Sequence, residues 1–158
     1  MNPAVPATLR PARDDDAATL TAIAVAAKAT HGYPPALVEG WRDELTIDAR
    51  RLAQWPTTVA ERGGAVAGFC SLSHADDRWW IEHCWVHPAH AGCGVGRTLV
   101  ANAMAAARTR GATALWVDAD PHAEGFYRAL GAERRHTVPA PIPGDPARAR
   151  PVLSWSLG

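Results

Sequence analysis

Residues 87–100, HPAHAGCGVGRTLV, decide the fold of this 158-residue chain. They follow an apolar, aromatic-rich segment, WWIEHCWV, and lead without a turn residue into apolar positions at helical spacing. Glycines at 92, 94 and 96 therefore lie where a predicted strand gives way to a predicted helix. The first N–H groups of a helix lack intrahelical acceptors and carry partial positive charge, so they bind anions that the backbone can approach. Because glycine permits that approach, the amides of about residues 91–97 are predicted to surround a phosphate or pyrophosphate.

Other functions of glycine-rich turns fit this stretch less well. A P-loop requires GxxxxGK followed by Ser or Thr, whereas Arg97 follows the last glycine here and no lysine is in reach. A dinucleotide-binding turn requires GxGxxG directly after a strand. This chain has GxGxG, separated from the strand by HPAHA, although Asp118 lies about the right distance further on. A purely structural alternative is that the glycines let the helix pack closely on the sheet.

The composition argues against nucleic acid and membrane partners. Sixteen basic and sixteen acidic residues cancel, and no dense run of Lys or Arg is present. We therefore expect a small-molecule or peptide partner. No apolar run approaches the ~20 residues needed to span a bilayer, and the N-terminal MNPAVPATLRPARDDD lacks the order of a signal peptide. An odd number of cysteines, at 70, 84 and 93, predicts reduced thiols in a cytoplasmic protein.

Helical and strand periodicities alternate along the chain in the order βααβββαβαββ. Predicted strands cover residues 6–12, 57–61, 65–73, 78–86, 112–120, 133–138 and 152–157. Predicted helices cover residues 14–27, one or two segments of 35–54, residues 94–110, and a segment from Asp120–Pro121 to Gly131. This order implies an α/β fold of the mixed α+β type, with a central mixed sheet of about six to seven strands and helices on both faces. We therefore predict a single domain over residues 1–158.

Several packing expectations follow from these patterns. The first helix is predicted to bury its periodic apolar positions, Leu20, Ile23, Ala24 and Ala27. The segment 35–54 offers four further candidates for burial, Leu37, Trp41, Leu45 and Leu52. The composition of ATALWVDAD predicts a strand buried on both faces. An exposed last strand would suit a homodimer.

Two segments resemble the GNAT superfamily of acyl-CoA-dependent N-acetyltransferases. WVHPAHAGCGVGRTLV is similar to its motif A, Gln/Arg-x-x-Gly-x-Gly/Ala after a strand ending in Val-x-Pro. DADPHAEGFYRALGAE resembles the following strand and the helix with Phe-Tyr-x-x-x-Gly-Ala/Phe. The element order matches too, which implies a single GNAT-like domain with a mostly antiparallel sheet. Two positions depart from the pattern. Ala91 replaces the motif's Gln/Arg, which leaves His90 or Arg97 to compensate, and His122 stands where relatives often carry Asn.

The resemblance implies acetyl-CoA as co-substrate. Its pyrophosphate would bind the glycine turn, and its pantetheine amides would pair with strand backbone in a gap between the strand ending at Val86 and the strand ending near Asp118. The implied cofactor-binding residues are Trp85, Val86, Ala91, Gly92, Cys93, Gly94, Val95, Gly96, Arg97, His122 and Tyr127.

The resemblance also implies acetyl transfer to a primary amine of a small molecule or of a peptide or protein N-terminus, by direct attack. Glu82 occupies the position of a general base, acting directly or through water, and Trp79, Trp80 and Trp85 are expected to desolvate it. Tyr127 matches the tyrosine that protonates the departing sulfur, while Phe126 and Leu130 are expected to pack the helix. The alternatives are a solvated Glu82 and a Tyr127 that only packs. A non-catalytic acyl-CoA-binding sensor is the alternative function.

A metal site is the rival interpretation of one crowded segment. Five potential ligands fall within eleven residues: His83, Cys84, His87, His90 and Cys93. They lack the paired spacing of structural zinc sites, and strand alternation sends His83 and Cys84 to opposite faces. We therefore predict no metal. Cys84 is expected to be a small core residue, and His83 is a candidate secondary acid or base.

Overall fold

The computed structural model describes residues 5–158. The prediction that the N-terminal stretch is not a signal peptide includes residues 1–4, and these residues lie outside this range. Seven strands form one sheet in the order β1-β2-β3-β4-β5-β7-β6. They are β1 (Thr8–Pro11), β2 (Thr57–Arg62), β3 (Ala65–Ala75), β4 (Arg78–Val86), β5 (Ala114–Asp118), β6 (Glu133–Pro139) and β7 (Ala149–Ser156). Strands β4 and β5 pair in parallel, whereas β1–β2, β2–β3, β5–β7 and β6–β7 pair antiparallel. The predicted mixed, mostly antiparallel sheet is confirmed.

Six helices accompany the sheet in this part of the chain. They are α1 (Ala17–Ala29), α2 (Pro35–Gly40), α3 (Arg42–Leu45), α4 (Ala49–Gln54), α5 (Val95–Thr109) and α6 (Glu124–Ala129). Short 3-10 turns lie at Asp14–Asp16, Pro88–His90 and Pro121–Ala123. No helix within residues 5–158 is long and apolar enough to cross a membrane. Residue contacts divide the chain into two units, taken in turn below: unit 1 comprises residues up to 73 and 83–103, and unit 2 comprises 74–82 and 104–158.

The core of unit 1 forms where α1 meets the sheet. All four predicted positions of α1 are buried, and three of them pack with Val59 and Phe69. Residues 35–54 form three short helices rather than one or two. Of the four candidates there, Leu45 is buried but Leu37, Trp41 and Leu52 are only half-buried. Breaks near Trp41 and Thr46 shift the register of the apolar face, so Val38 and Ile47 are buried instead.

The acidic run before α1 forms a turn of its own. Residues Asp14–Asp16 are a 3-10 turn, and the Asp16 carboxylate accepts the backbone N–H of Arg13 at 2.7 Å. The same carboxylate is paired with the Arg10 guanidinium at 2.8 Å, which lowers the pKa of Asp16. Arg10 also pairs with Glu61 of β2. These contacts hold the turn before α1 against β1 and β2.

Unit 2 contains β5, β6 and β7. Only Leu115 and Val117 of β5 are buried, so the prediction of burial on both faces is wrong: Trp116 is half-buried and Asp118 is exposed beside Arg150 at 2.7 Å. The last strand, β7, is not exposed at the edge of the sheet. It lies between β5 and β6 and is largely buried, whereas β6 is the exposed edge strand.

Candidate active site

Two glycines give the turn before α5 its shape. Gly92 and Gly94 have φ angles of 74° and 83°, in the left-handed region that side-chain-bearing residues rarely adopt. A Cβ atom at either position would have no atom within 4 Å, so backbone conformation and not crowding requires glycine there. Gly96, by contrast, lies within α5 and is buried. The left-handed turn thus requires two of the three glycines, and the third is a buried residue of the helix.

The start of α5 presents unpaired donors. The first intrahelical bond of α5 runs from the N–H of Thr98 to the carbonyl of Gly94 at 3.0 Å. The N–H groups of Val95, Gly96 and Arg97 precede that bond and have no acceptor within the helix. No acidic residue lies in the first turn. This end of α5 is thus suited to an anion.

The preceding residues form a short 3-10 turn. His87 caps it, because its ring Nδ1 accepts the Ala89 N–H at 3.0 Å. Ala91 and Gly92 are exposed and Cys93 is half-buried, with its thiol donating to the Ala91 carbonyl at 3.7 Å. The predicted residues from Trp85 to Arg97 are therefore contiguous on one strand, turn and helix start of unit 1.

Arg62 at the end of β2 is a residue that the sequence did not indicate. Its side chain is buried, its Nε donates to the Val5 carbonyl at 2.8 Å, and its Nη1 lies 3.4 Å from Nδ1 of His90. The Nη2 atom is buried without a hydrogen-bond partner among the described residues. Burial and the Arg62 charge lower the pKa of His90. Of these two side chains, Arg62 is therefore the one that carries a positive charge. The partners lie far away in sequence, so no local pattern reveals the contact.

The carboxyl end of β4 approaches β3 closely at Gly68. A Cβ atom on Gly68 would lie 2.6 Å from the Trp85 carbonyl oxygen and 3.3 Å from Cα of Val86. Both Trp85 and Val86 are half-buried. Glycine at 68 thus allows the predicted cofactor-binding backbone of β4 to take its place in the sheet.

His83 is a neutral, buried residue. Its ring lies 5.7 Å from Trp55 and 6.1 Å from Phe69, and its Nδ1 accepts the indole N–H of Trp85 at 3.0 Å. Burial, followed by the charge of Arg51, lowers the pKa of His83 to about 4. His83 is therefore neutral in the folded protein, and its role as a secondary acid or base stays a prediction. The predicted alternation is confirmed, since His83 packs against Trp55 and Phe69 whereas Cys84 interacts with Cys70.

In unit 2, Glu82 is exposed between two buried neighbours in β4, Ile81 and His83. The expected desolvation by three tryptophans is therefore wrong. Alternation places Trp79 and Trp85 on the opposite face from Glu82, and the Trp85 indole is directed to His83. The carboxylate is accessible to solvent, which suits a base that receives a proton from substrate or water.

Tyr127, not Phe126, packs α6. Tyr127 is 5% exposed and meets Trp155 edge to face at a centroid distance of 5.7 Å, whereas Phe126 is 39% exposed. Leu130 is half-buried, and its carbonyl accepts the Trp155 indole N–H at 3.1 Å. The expectation that Phe126 packs this helix is thus wrong. In a helix of six residues, two adjacent aromatics offer no periodicity that would tell which one faces inward.

His122 lies in the 3-10 turn before α6. Asp120 caps that turn by accepting the His122 backbone N–H at 2.8 Å, and its carboxylate lies 2.9 Å from Nδ1 of the His122 ring. Asp120 is therefore confirmed as the predicted cap. His122 is exposed, and this contact orients its ring.

No group of three or more His, Cys, Asp or Glu side chains is arranged to hold a metal ion in the described part of the chain. The three cysteines at 70, 84 and 93 are free thiols.

The mixed seven-stranded sheet and the left-handed glycine turn at the start of the helix after β4 are the arrangement that the resemblance to the GNAT superfamily implies. The model of the acetyltransferase (GNAT) family matches residues 15–132, and the chain belongs to this family. It is similar to the crystal structure of a GCN5-related N-acetyltransferase from Rhodopseudomonas palustris, with 32% identity, 95% coverage of each chain and a TM-score of 0.81.

Two curated relatives match over shorter stretches. An L-methionine sulfoximine/L-methionine sulfone acetyltransferase from Salmonella typhimurium is 39% identical over 69 residues, 40% of each protein. The L-amino acid N-acyltransferase MnaT from Escherichia coli is 39% identical over 70 residues, 41% of each. The match thus spans about two-fifths of the length of these relatives.

Proposed function

We propose that this protein transfers the acetyl group of acetyl-CoA to the primary amine of a small molecule, with an amino acid or an amino-acid-like compound as the first class to test. The glycine turn carries the proposal: Gly92 and Gly94 hold the backbone in a left-handed bend, and the amides of Val95, Gly96 and Arg97 follow it. The names of the relatives that act on methionine derivatives and L-amino acids favour this acceptor class over a peptide or protein N-terminus.

The cofactor fits this turn in spite of Ala91. A pyrophosphate needs donors and positive charge, and the amides at the start of α5 supply the donors. Arg62, buried beside His90, supplies a fixed charge that the motif's Gln/Arg would otherwise provide. Backbone at Trp85 and Val86 is proposed to pair with the pantetheine arm, as an added strand would.

The first experiment measures melting temperature with acetyl-CoA, coenzyme A, NAD and ATP, each at roughly one hundred times a plausible Kd. A ligand that binds only the native state then contributes about 2.7 kcal/mol, which shifts the melting temperature by several degrees. We expect a shift with acetyl-CoA and coenzyme A alone. Mass spectrometry of acetylated products from a panel of amino acids then tests transfer. Binding without any product would favour a non-catalytic acyl-CoA sensor, and no shift with either CoA compound would overturn the proposal.

Glu82 is the proposed general base. An alkylamine has a pKa near ~10 and must lose a proton before it attacks the thioester. We expect Glu82→Gln to lower kcat by about 100-fold, in the usual range for loss of a general base, with little change in Kd for acetyl-CoA. The exposed Glu44→Gln is the matched control and should retain wild-type turnover. Equal turnover in Glu82→Gln and Glu44→Gln would mean that Glu82 is a solvated surface residue and not the base.

Tyr127 is the proposed general acid toward the departing thiolate. Tyr127→Phe keeps the ring that packs against Trp155 and removes only the hydroxyl group. We expect kcat to fall at least about tenfold, since a positioned proton donor is lost, while the Kd for coenzyme A stays within about twofold. Phe126→Leu is the control at the exposed neighbouring position. Unchanged turnover in Tyr127→Phe would leave this tyrosine a packing residue only.

Arg62 is proposed as a positioning residue for the pyrophosphate. We expect Arg62→Met to weaken coenzyme A binding by about tenfold, equivalent to about 1.4 kcal/mol, and Arg62→Lys to restore part of that affinity because it keeps the charge. S-acetyl-pantetheine, which lacks the phosphates, separates this role from a general loss of structure. Its KM should be the same in wild type and Arg62→Met, and a parallel loss with both substrates would contradict the assignment.

The remaining predictions concern the whole protein. We propose a single domain over residues 1–158 and a cytoplasmic location. The homodimer stays a prediction, and sedimentation of the purified protein tests it.

A further inference from the structure

The thiols of Cys70 and Cys84 lie on neighbouring strands of unit 1 and are in contact. Cys70 is on β3 and Cys84 on β4, which are adjacent in the sheet. The Cys84 thiol lies close enough to Cys70 to raise the pKa of the Cys70 thiol. The proposed acetyl transfer uses neither sulfur atom.

The backbone register places these two residues opposite each other. The His87 N–H donates to the Ala67 carbonyl at 2.7 Å, so these residues form a hydrogen-bonded pair of the antiparallel ladder. Three residues further along β3 and three residues back along β4, Cys70 faces Cys84 in a non-hydrogen-bonded pair. The closeness of Gly68 to Val86, one step along the same ladder, agrees with this register.

A non-hydrogen-bonded pair has the spacing that a disulfide requires. Its Cα atoms lie about 4.5 Å apart, within the roughly 4.4–6.8 Å range of disulfide-linked residues. The side chains of residues that face each other across two strands point to the same face of the sheet, and the Cys84 thiol influences that of Cys70.

The two thiols differ in access. Cys70 is 3% exposed, whereas Cys84 is half-buried. The Cys84 thiol and then burial raise the pKa of the Cys70 thiol, so Cys84 is the thiol that an oxidant meets first. Cys70 is placed to resolve the product.

We propose that Cys70 and Cys84 form a reversible disulfide when the folded protein meets a low-molecular-weight disulfide such as oxidised glutathione. The Cys84 thiolate attacks one glutathione sulfur, which forms a mixed disulfide and releases one glutathione thiolate. Cys70 then loses its proton and attacks the Cys84 sulfur, which releases the second glutathione. The two cysteine sulfurs are oxidised, and one glutathione disulfide is reduced to two thiols. The new bond fixes β3 to β4 immediately before Trp85.

The test is independent of acetyl transfer. Folded, reduced protein is incubated with oxidised glutathione, alkylated and weighed by mass spectrometry. We expect one alkylated thiol in place of three, no retained glutathione on the linked pair, and recovery of all three thiols after dithiothreitol. Trypsin places Cys70 in peptide 63–78 and Cys84 with Cys93 in peptide 79–97. The linked peptides should therefore persist in Cys93→Ser and vanish in Cys84→Ser.

Three results would overturn the proposal. They are a link from Cys70 to Cys93, mixed glutathione disulfides as the sole products, or three intact thiols under conditions in which the urea-unfolded protein oxidises. Because wild-type protein supplies the first measurement, the outcome does not depend on whether a cysteine variant folds.

Discussion

Replacing Gly94 with valine is expected to weaken acetyl-CoA binding by about 100-fold. Gly94 has a φ of 83°, and a β-branched residue there is a genuine conformational outlier. The turn should leave the left-handed region, so that the amides before Thr98 no longer converge on one anion. Loss of two charge-assisted hydrogen bonds at about 1.5 kcal/mol each gives about 3 kcal/mol, or roughly two orders of magnitude in Kd. Titration calorimetry with acetyl-CoA measures this change.

Gly111 provides a matched control at the other end of the same helix. It has a φ of 82° just after α5, and a Cβ atom there also meets nothing within 4 Å. Gly111→Val therefore carries comparable backbone strain at the helix end where the dipole disfavours anions. We expect Gly111→Val to lose stability but retain its affinity for acetyl-CoA. Equal losses of affinity in the two variants would mean that strain, and not the donors of the turn, determines binding.

Acid should destabilise the protein through His83 well before its carboxylates titrate. The pKa of His83 is about 4 in the folded protein, against 6.5 as its ordinary value. Below about pH 6.5 the unfolded chain binds a proton that the folded chain does not accept until pH falls to about 4. The stabilising contribution is therefore complete above pH 6.5 and is lost as pH falls through that window. At about 1.36 kcal/mol per pKa unit, the free energy of unfolding should fall by about 3 kcal/mol.

His83→Gln isolates this contribution. Glutamine keeps an acceptor for the Trp85 indole N–H but does not titrate. Urea unfolding of both proteins at pH 7 and pH 4 should show that wild type loses about 3 kcal/mol more than His83→Gln, because other titrating groups cancel in the difference. The His83 ring should also remain neutral by NMR until about pH 4. Parallel unfolding curves, or a ring that titrates near 6.5, would contradict the assignment.

Strong periodicity made much of the fold predictable. The bounds of β4 match the prediction, and all four apolar positions of α1 are buried, because both elements repeat their apolar residues over many positions. The short helices α2 to α4 provide too few turns for a period to be recognised. The place of β7 between β5 and β6 was also out of reach, since chain order alone does not give strand order.

The candidate site, like the fold, was predictable from the sequence only in part. The glycine turn was predictable because its signal is local: backbone conformation dictates glycine at 92 and 94. The roles of Arg62 and His83 were not, because each depends on partners distant in sequence, such as Val5 for Arg62 and Trp55 for His83. The sequence predicts Glu82 among three tryptophans because they are its neighbours in the chain, but strand alternation places two of them, Trp79 and Trp85, on the opposite face.

The exposed strand β6 affects how readily copies of this protein aggregate at high concentration. It ends the sheet and carries an acidic residue and two arginines, a register irregularity between Arg134 and His136, and Pro139 at its end. Charge, irregular pairing and proline each discourage a second chain from adding to a sheet edge. Arg134 is also turned toward Glu124, 2.6 Å away, so that its charge is held beside α6. This edge is thus protected from edge-to-edge aggregation, and copies of the protein that associate through it would have to overcome all three features.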